Sequence, residues 1–110
     1  MVTQDSPVFA AIADPTRRAI LDLLRDGELP AGTIADHFPV SRPAISRHVR
    51  VLRAAGLVEE RRLSQQRLYR LAADPLRDVD RWLEHYRLFW AARLGALKRV
   101  AESAARSSSS

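Results

Sequence analysis

The sequence predicts a mainly α-helical domain with one small β-hairpin. Apolar residues recur at helical spacing in several segments, and most of those segments open with a capping residue followed closely by proline. The stretch 57–71 abandons that period for two short runs around a polar tip. From Pro75 onward a long helical pattern runs almost to the end of the chain.

The first helix is "DSPVFAAIA", with Asp5 or Ser6 as cap, Pro7 in its first turn, and Val8, Phe9 and Ile12 as its apolar stripe. "DPTRRAILDLLRDG" repeats the device with Asp14 as cap and Pro15 at the first helical position. Ile20, Leu23 and Leu24 are its expected core residues, and Gly27 ends it. "LPAGTIADHF" reads as a third, shorter helix opening at Pro30 and burying Ile34 and Phe38. The fourth is "SRPAISRHVRVLRAAGL": Ser41 caps it, and Pro43 fits a first turn whose amides have no helical acceptor. Ile45, Val49 and Leu52 sit at i, i+4 and i+7, which fixes the buried face and leaves Arg42, Ser46, Arg47 and Arg50 outside, with Arg53 towards the end. Gly56 stops this helix in a left-handed conformation.

In "LVEERRLSQQRLYRL", Leu57–Arg62 and Leu68–Leu71 read as strands joined by "SQQ", flanked by Arg61, Arg62 and Arg67. The last helix is expected to reach about Ala104. Val79, Leu83, Tyr86, Trp90, Leu94 or Arg93, Leu97 and Ala101 recur near every ~3.5 residues, the seam of a packed helix pair, and Trp82 and Phe89 widen it. A chain of 110 residues makes one domain with a modest core, so a helix carrying both tryptophans is assigned to dimerisation. Residues 1–106 are assigned to that domain and 107–110 to a disordered serine tail.

The net charge of +5 is unevenly placed. Residues 1–40 carry three arginines against six carboxylates, whereas residues 41–71 carry eight arginines against two glutamates. Positive charge concentrated in the middle third fits a polyanion-binding surface, although charge runs are more often solvated faces. With no cysteine in the chain, disulfides and thiolate metal sites are excluded. The opening "MVTQDSPVFA" lacks a secretory pattern and no apolar run approaches the ~20 residues of a membrane span, so a cytoplasmic location is expected. No nucleophile stands in a recognisable setting, no glycine-rich phosphate loop occurs, and the histidines lie on separate elements; neither catalysis nor a cofactor is expected.

Three short helices, a basic fourth helix, a hairpin and a long last helix, in that order, make a winged helix-turn-helix. In that architecture "LPAGTIADHF" crosses the DNA backbone, Ser41–Ala55 enters the major groove and the 57–71 hairpin is the wing. The runs "ADPTRRAILDLL", "SRPAISRHVRVLRAAGLV" and "RRLSQQRLYRL" resemble the ArsR/SmtB family of bacterial winged-helix repressors. "VDRWLEHYRLFWAARLGAL" is similar to its SdpR-like autorepressor branch. The resemblance implies a homodimer, paired through the first and last helices, that binds an operator and blocks transcription. It also implies roles. Arg42, Ser46 and Arg47 become base-contact residues, since arginine pairs bidentately with guanine. Thr33, Ser41, His48, Arg50, Arg53, Arg61, Arg62 and Arg67 become backbone contacts. His48 has the alternative role of a half-buried packing residue. Val8, Phe9, Ile12, Val79, Trp82, Leu83, Tyr86, Phe89, Trp90, Leu94 and Leu97 become the dimer interface.

The metal-sensing members carry a motif of the form "ELCVCDLA"; here the matching stretch is "ELPAGTIA", with Pro30 and Gly32 at the cysteine positions, so that site is absent. Asp78, Asp80, Glu84 and His85 on the last helix are the remaining metal-binding alternative, and one histidine among scattered carboxylates falls short of a zinc site. The partners expected are double-stranded DNA and a second copy of the chain, with an unidentified small-molecule or protein effector left open. The different-class alternative is a winged-helix module whose arginines face an acidic protein.

Overall fold

The computed structural model describes residues 6–108. Its elements run α1 (Pro7–Ile12), α2 (Pro15–Leu23), β1 (Leu29–Pro30), α3 (Ala31–Asp36), α4 (Arg42–Ala54), β2 (Val58–Leu63), β3 (Gln66–Leu71) and α5 (Arg77–Ser108). The chain divides into two compact units with the boundary inside α5, between Val79 and Asp80.

In the first unit, Ser6 caps α1 and Asp14 caps α2, each followed by a proline at the first helical position. Asp5, the other cap considered, lies outside the described residues. The Asp14 carboxylate accepts from the Arg17 amide at 3.0 Å. That backbone hydrogen bond, helped by His48 and the Arg17 guanidinium, holds the Asp14 carboxyl below the usual carboxylate range. Arg17 then turns back: its Nε donates to the Ala11 carbonyl at 2.6 Å and its Nη2 to Ala10 at 2.9 Å, while Arg18 Nη1 donates to Ile12 at 2.8 Å. The last carbonyls of α1 lack the amides four residues on that would complete the helical ladder, so "ADPTRR" caps the end of one helix with the start of the next.

Ile20, Leu24, Ile34, Leu52 and Leu57 are the largest fully buried side chains, each contributing about 1.5–3 kcal/mol of transfer free energy. Val8, Ala11, Leu21, Ile45, Val49, Ala55, Val58 and Tyr69 complete the cluster, with Leu23, Phe38, Leu76 and Val79 packed against it. The Ser6 hydroxyl donates to Asp78 Oδ2 at 3.0 Å, tying the α1 cap to the first turn of α5.

The sheet has three antiparallel strands in the order β1-β3-β2, one more than the expected hairpin. Leu29 pairs with Tyr69 and Pro30 with Leu68. Consequently α3 opens at Ala31, with Pro30 as its cap residue. Two residues carry no readable period, and proline signals a helix start as readily as an edge strand, where its missing N–H leaves the ladder intact. The hairpin register is Val58 with Leu71 through Leu63 with Gln66, leaving a two-residue tip in which Ser64 adopts φ 57°. The helix α5 extends through Ser108, past the expected end near Ala104 and into the serine run; residues 109–110 of the expected tail lie outside the described residues.

Gly56, at φ 77°, closes α4. Its amide donates to Arg53 O at 2.9 Å and the Leu57 amide to Leu52 O at 2.9 Å, a Schellman motif whose apolar contact is the fully buried Leu52–Leu57 pair. A side chain here would meet Pro75 Cγ at 3.4 Å in a backbone region that L-residues avoid. Gly56→Ala is therefore expected to lower the unfolding free energy by about 1–2 kcal/mol, read from the urea midpoint at unchanged slope.

Candidate nucleic-acid interface

The candidate surface is built on α4. Ile45, Val49 and Leu52 are buried, which turns Arg42, Ser46, Arg47, Arg50 and Arg53 outward. Ser41 Oγ accepts from the Ala44 amide at 3.2 Å, and its hydroxyl proton is left to donate elsewhere. Thr33, in the first turn of α3, lines a groove with Gln66 and Arg67 of the hairpin, so the first helix of the helix-turn-helix and the wing flank a common surface.

The arginines of residues 41–71 are not equivalent. Arg42 Nη2 lies 3.5 Å from Asp36 Oδ1 of α3. Arg53 Nη2 lies 3.1 Å from Glu60 Oε2 and Arg67 Nε 3.8 Å from Glu60 Oε1. Arg61 makes a two-pronged contact with Glu28, both distances 2.8 Å, reaching across β3 to the residue before β1. The hydrogen bond between them is the chief cause that lowers the Glu28 carboxyl and raises the Arg61 guanidinium. Arg70 pairs with its cross-strand partner Glu59. Among the described residues, Arg47, Arg50 and Arg62 have no carboxylate partner. These three are the cations already available to a polyanion; Arg61 is a brace within the sheet.

Of the two roles expected for His48, the geometry matches the half-buried packing one. The side chain flanks the buried stripe of α4 and points back to the α1–α2 corner, with Nδ1 3.3 Å from Arg17 Nη1 and 3.9 Å from Asp14 Oδ2. His48 thus links the recognition helix to the capping arginine of α2.

The expected dimer surface divides as well. Val8, 2% exposed, lies inside the first unit's core, and Val79 and Ile12 pack against that core. Phe9 and Leu83 are half-buried. In the second unit Trp82, Tyr86, Phe89, Trp90, Leu94 and Leu97 are all exposed, as are Leu88 and Val100, which were not assigned to the seam. Trp82 meets Tyr86 edge-on at 5.2 Å and Tyr86 lies 6.2 Å from Trp90, an aromatic ladder along one stripe, with Arg93 stacked over Phe89 at 4.8 Å. Among the described residues no group of His, Asp or Glu side chains is placed to hold a metal ion. Asp80 is paired with Arg87. No helix of the described chain is long and apolar enough to cross a membrane.

A helix-turn-helix domain model matches residues 12–61. The transcriptional repressor SdpR of Bacillus subtilis is 44% identical over 79 residues, 72% of this chain and 88% of that protein. The chain belongs to the ArsR/SmtB family of winged-helix repressors. A second relative in sequence, the HTH-type transcriptional regulator Rv2034 of Mycobacterium tuberculosis, is 38% identical over 109 residues, 94% of this chain and 95% of its own. The crystal structure of an ArsR family transcriptional regulator superposes at TM-score 0.69 and 28% identity, covering 77% of this chain and 88% of that one. The third strand, β1, pairs the entry to α3 with the wing and so joins both flanks of α4.

The ion-pair map distinguishes neighbours on the wing. Arg62→Ala is expected to weaken binding to every duplex alike and to flatten the salt dependence by ~0.9 in log K per tenfold salt and protomer. Arg61→Ala should change that slope less and instead lower the thermal midpoint, because it frees Glu28 from its clamp; filter binding across a salt series and thermal melting separate the two.

Proposed function

We propose that this family member is a dimeric repressor that reads an inverted-repeat DNA operator. In each protomer α4 lies in the major groove and the β2–β3 hairpin beside the adjacent groove, with half-sites ~34 Å apart. The observation that carries this reading is the set of cations Arg47, Arg50 and Arg62, without a carboxylate partner among the described residues and held on α4 and the wing by a buried stripe and a short hairpin. The homologues named as repressors support it. Arg42, Ser46 and Arg47, at the front of α4, read base edges. Arg50 and Arg62, with Thr33, Ser41, Arg53 and Arg67, hold the phosphates. The aromatic stripe of α5 supports pairing with a second copy, as does the half-buried Phe9 of α1. Such a protein acts where the DNA is, in the cytoplasm.

The test uses a duplex selected by the protein from random sequence. Sub-micromolar affinity, a steep salt slope and strong preference over a random duplex are expected. Arg47→Ala should cost about 1–3 kcal/mol and relax the preference at one base pair of each half-site. Arg50→Ala should weaken all duplexes alike. If neither substitution alters affinity, the DNA reading fails in favour of an acidic protein partner. Sedimentation should give a dimer at micromolar concentration, and a monomer there would remove α5 from the interface.

A further inference from the structure

Glu60 is the half-buried carboxylate of the wing, about 20% exposed, and it faces the recognition helix. Residues directly opposite in an antiparallel ladder point to the same side of the sheet. The pairs Glu60–Tyr69 and Arg62–Arg67 therefore share one face of the hairpin. On that face Glu60 Oε1 accepts from the Tyr69 hydroxyl at 3.0 Å and lies 3.8 Å from Arg67 Nε, while Oε2 lies 3.1 Å from Nη2 of Arg53 on α4. Burial and then this hydrogen bond push the Tyr69 phenol above its usual value, so it stays a donor.

A carboxylate in the middle of a surface that meets polyphosphate opposes binding by its charge. Here it also joins the last turn of α4 to the wing through two arginines that would otherwise move freely. We propose that Glu60 is a positioning residue that sets the selectivity of the DNA interface: it holds Arg53 and Arg67 together on one carboxylate and weakens attraction to any duplex. The inference rests on the DNA-binding reading of the same face. The repulsion acts on every duplex equally. The fixed wing favours only a duplex in which α4 is already seated on its bases, because only there do Arg53 and Arg67 meet phosphates in the geometry Glu60 imposes. Glu60 thus lowers random binding more than operator binding.

The experiment compares wild type, Glu60→Gln and Tyr69→Phe on the selected duplex and on a random duplex of equal length, across a salt series. Glu60→Gln is expected to bind random duplex roughly 5- to 10-fold more tightly per protomer at 0.1 M salt and to steepen the slope by ~0.9 per protomer, the effect of one added net cation. The ratio of selected to random affinity should fall. Tyr69→Phe removes a hydrogen bond to the same carboxylate without changing charge, and should leave the slope at the wild-type value. An unchanged slope or an unchanged ratio in Glu60→Gln overturns the proposal, and so does an equal steepening in Tyr69→Phe, which would trace the effect to loosening of the wing. Absence of any duplex preference in wild type would instead overturn the operator reading itself.

Discussion

The burial of Ile45, Val49 and Leu52 is the constraint on which the rest of the interface depends. A helix has a fixed angular step, so committing these three side chains to the core assigns every other side chain of α4 a direction. Both ends of the helix are also fixed. Ser41 starts it one residue before Arg42, and the Gly56 closure seats Leu57 against Leu52. With rotation and both ends determined, Arg47 and Arg50 leave the protein on the face opposite the stripe. Arg42 and Arg53 emerge on its flank, within reach of α3 and β2 respectively. His48 emerges on the other flank, where Arg17 and Asp14 meet it.

Carboxylates then sort the cations. The chain places eight arginines between residues 41 and 71, but Glu28, Asp36, Glu59 and Glu60 engage five of them. The more exposed of these pairs, Arg42–Asp36 and Arg70–Glu59, contribute little to stability. The consequence of the pairs is geometric: they decide which guanidiniums are preset and which await a partner. Glu28 and Glu60 are the most enclosed of the four, and they brace the wing from its two faces. The capping arginines Arg17 and Arg18 do the comparable work at the α1–α2 corner with backbone carbonyls as acceptors.

The second unit follows a simpler logic. Its helix presents Trp82, Tyr86, Phe89, Trp90, Leu94 and Leu97 to solvent in the single chain, a larger apolar surface than isolated surface hydrophobics account for. The aromatic rings contact one another along the helix, which lines them up without covering them. Val8 takes no part in such a surface, because the first unit's core already encloses it.

The order and type of the helices, their caps, the hairpin and the outward set on α4 were all legible in the residues, because each depends on neighbours a few positions away: Ser6–Pro7, Asp14–Pro15, Ser41–Pro43, Gly56, and the i, i+4, i+7 stripe. Strand β1 was not legible, since two residues have no period and Pro30 reads equally well as a helix start. Which of its two roles His48 takes was left open, because the packing role needs the α1–α2 corner brought beside α4. The separation of Arg47, Arg50 and Arg62 from the braced arginines is likewise a tertiary decision. Glu28 and Arg61 are 33 residues apart in the chain. Local sequence determines which side of an element a side chain occupies, through helical and strand periodicity. Which charge that side chain meets there is set by packing between distant elements, and for this surface that difference separates a brace from a reader.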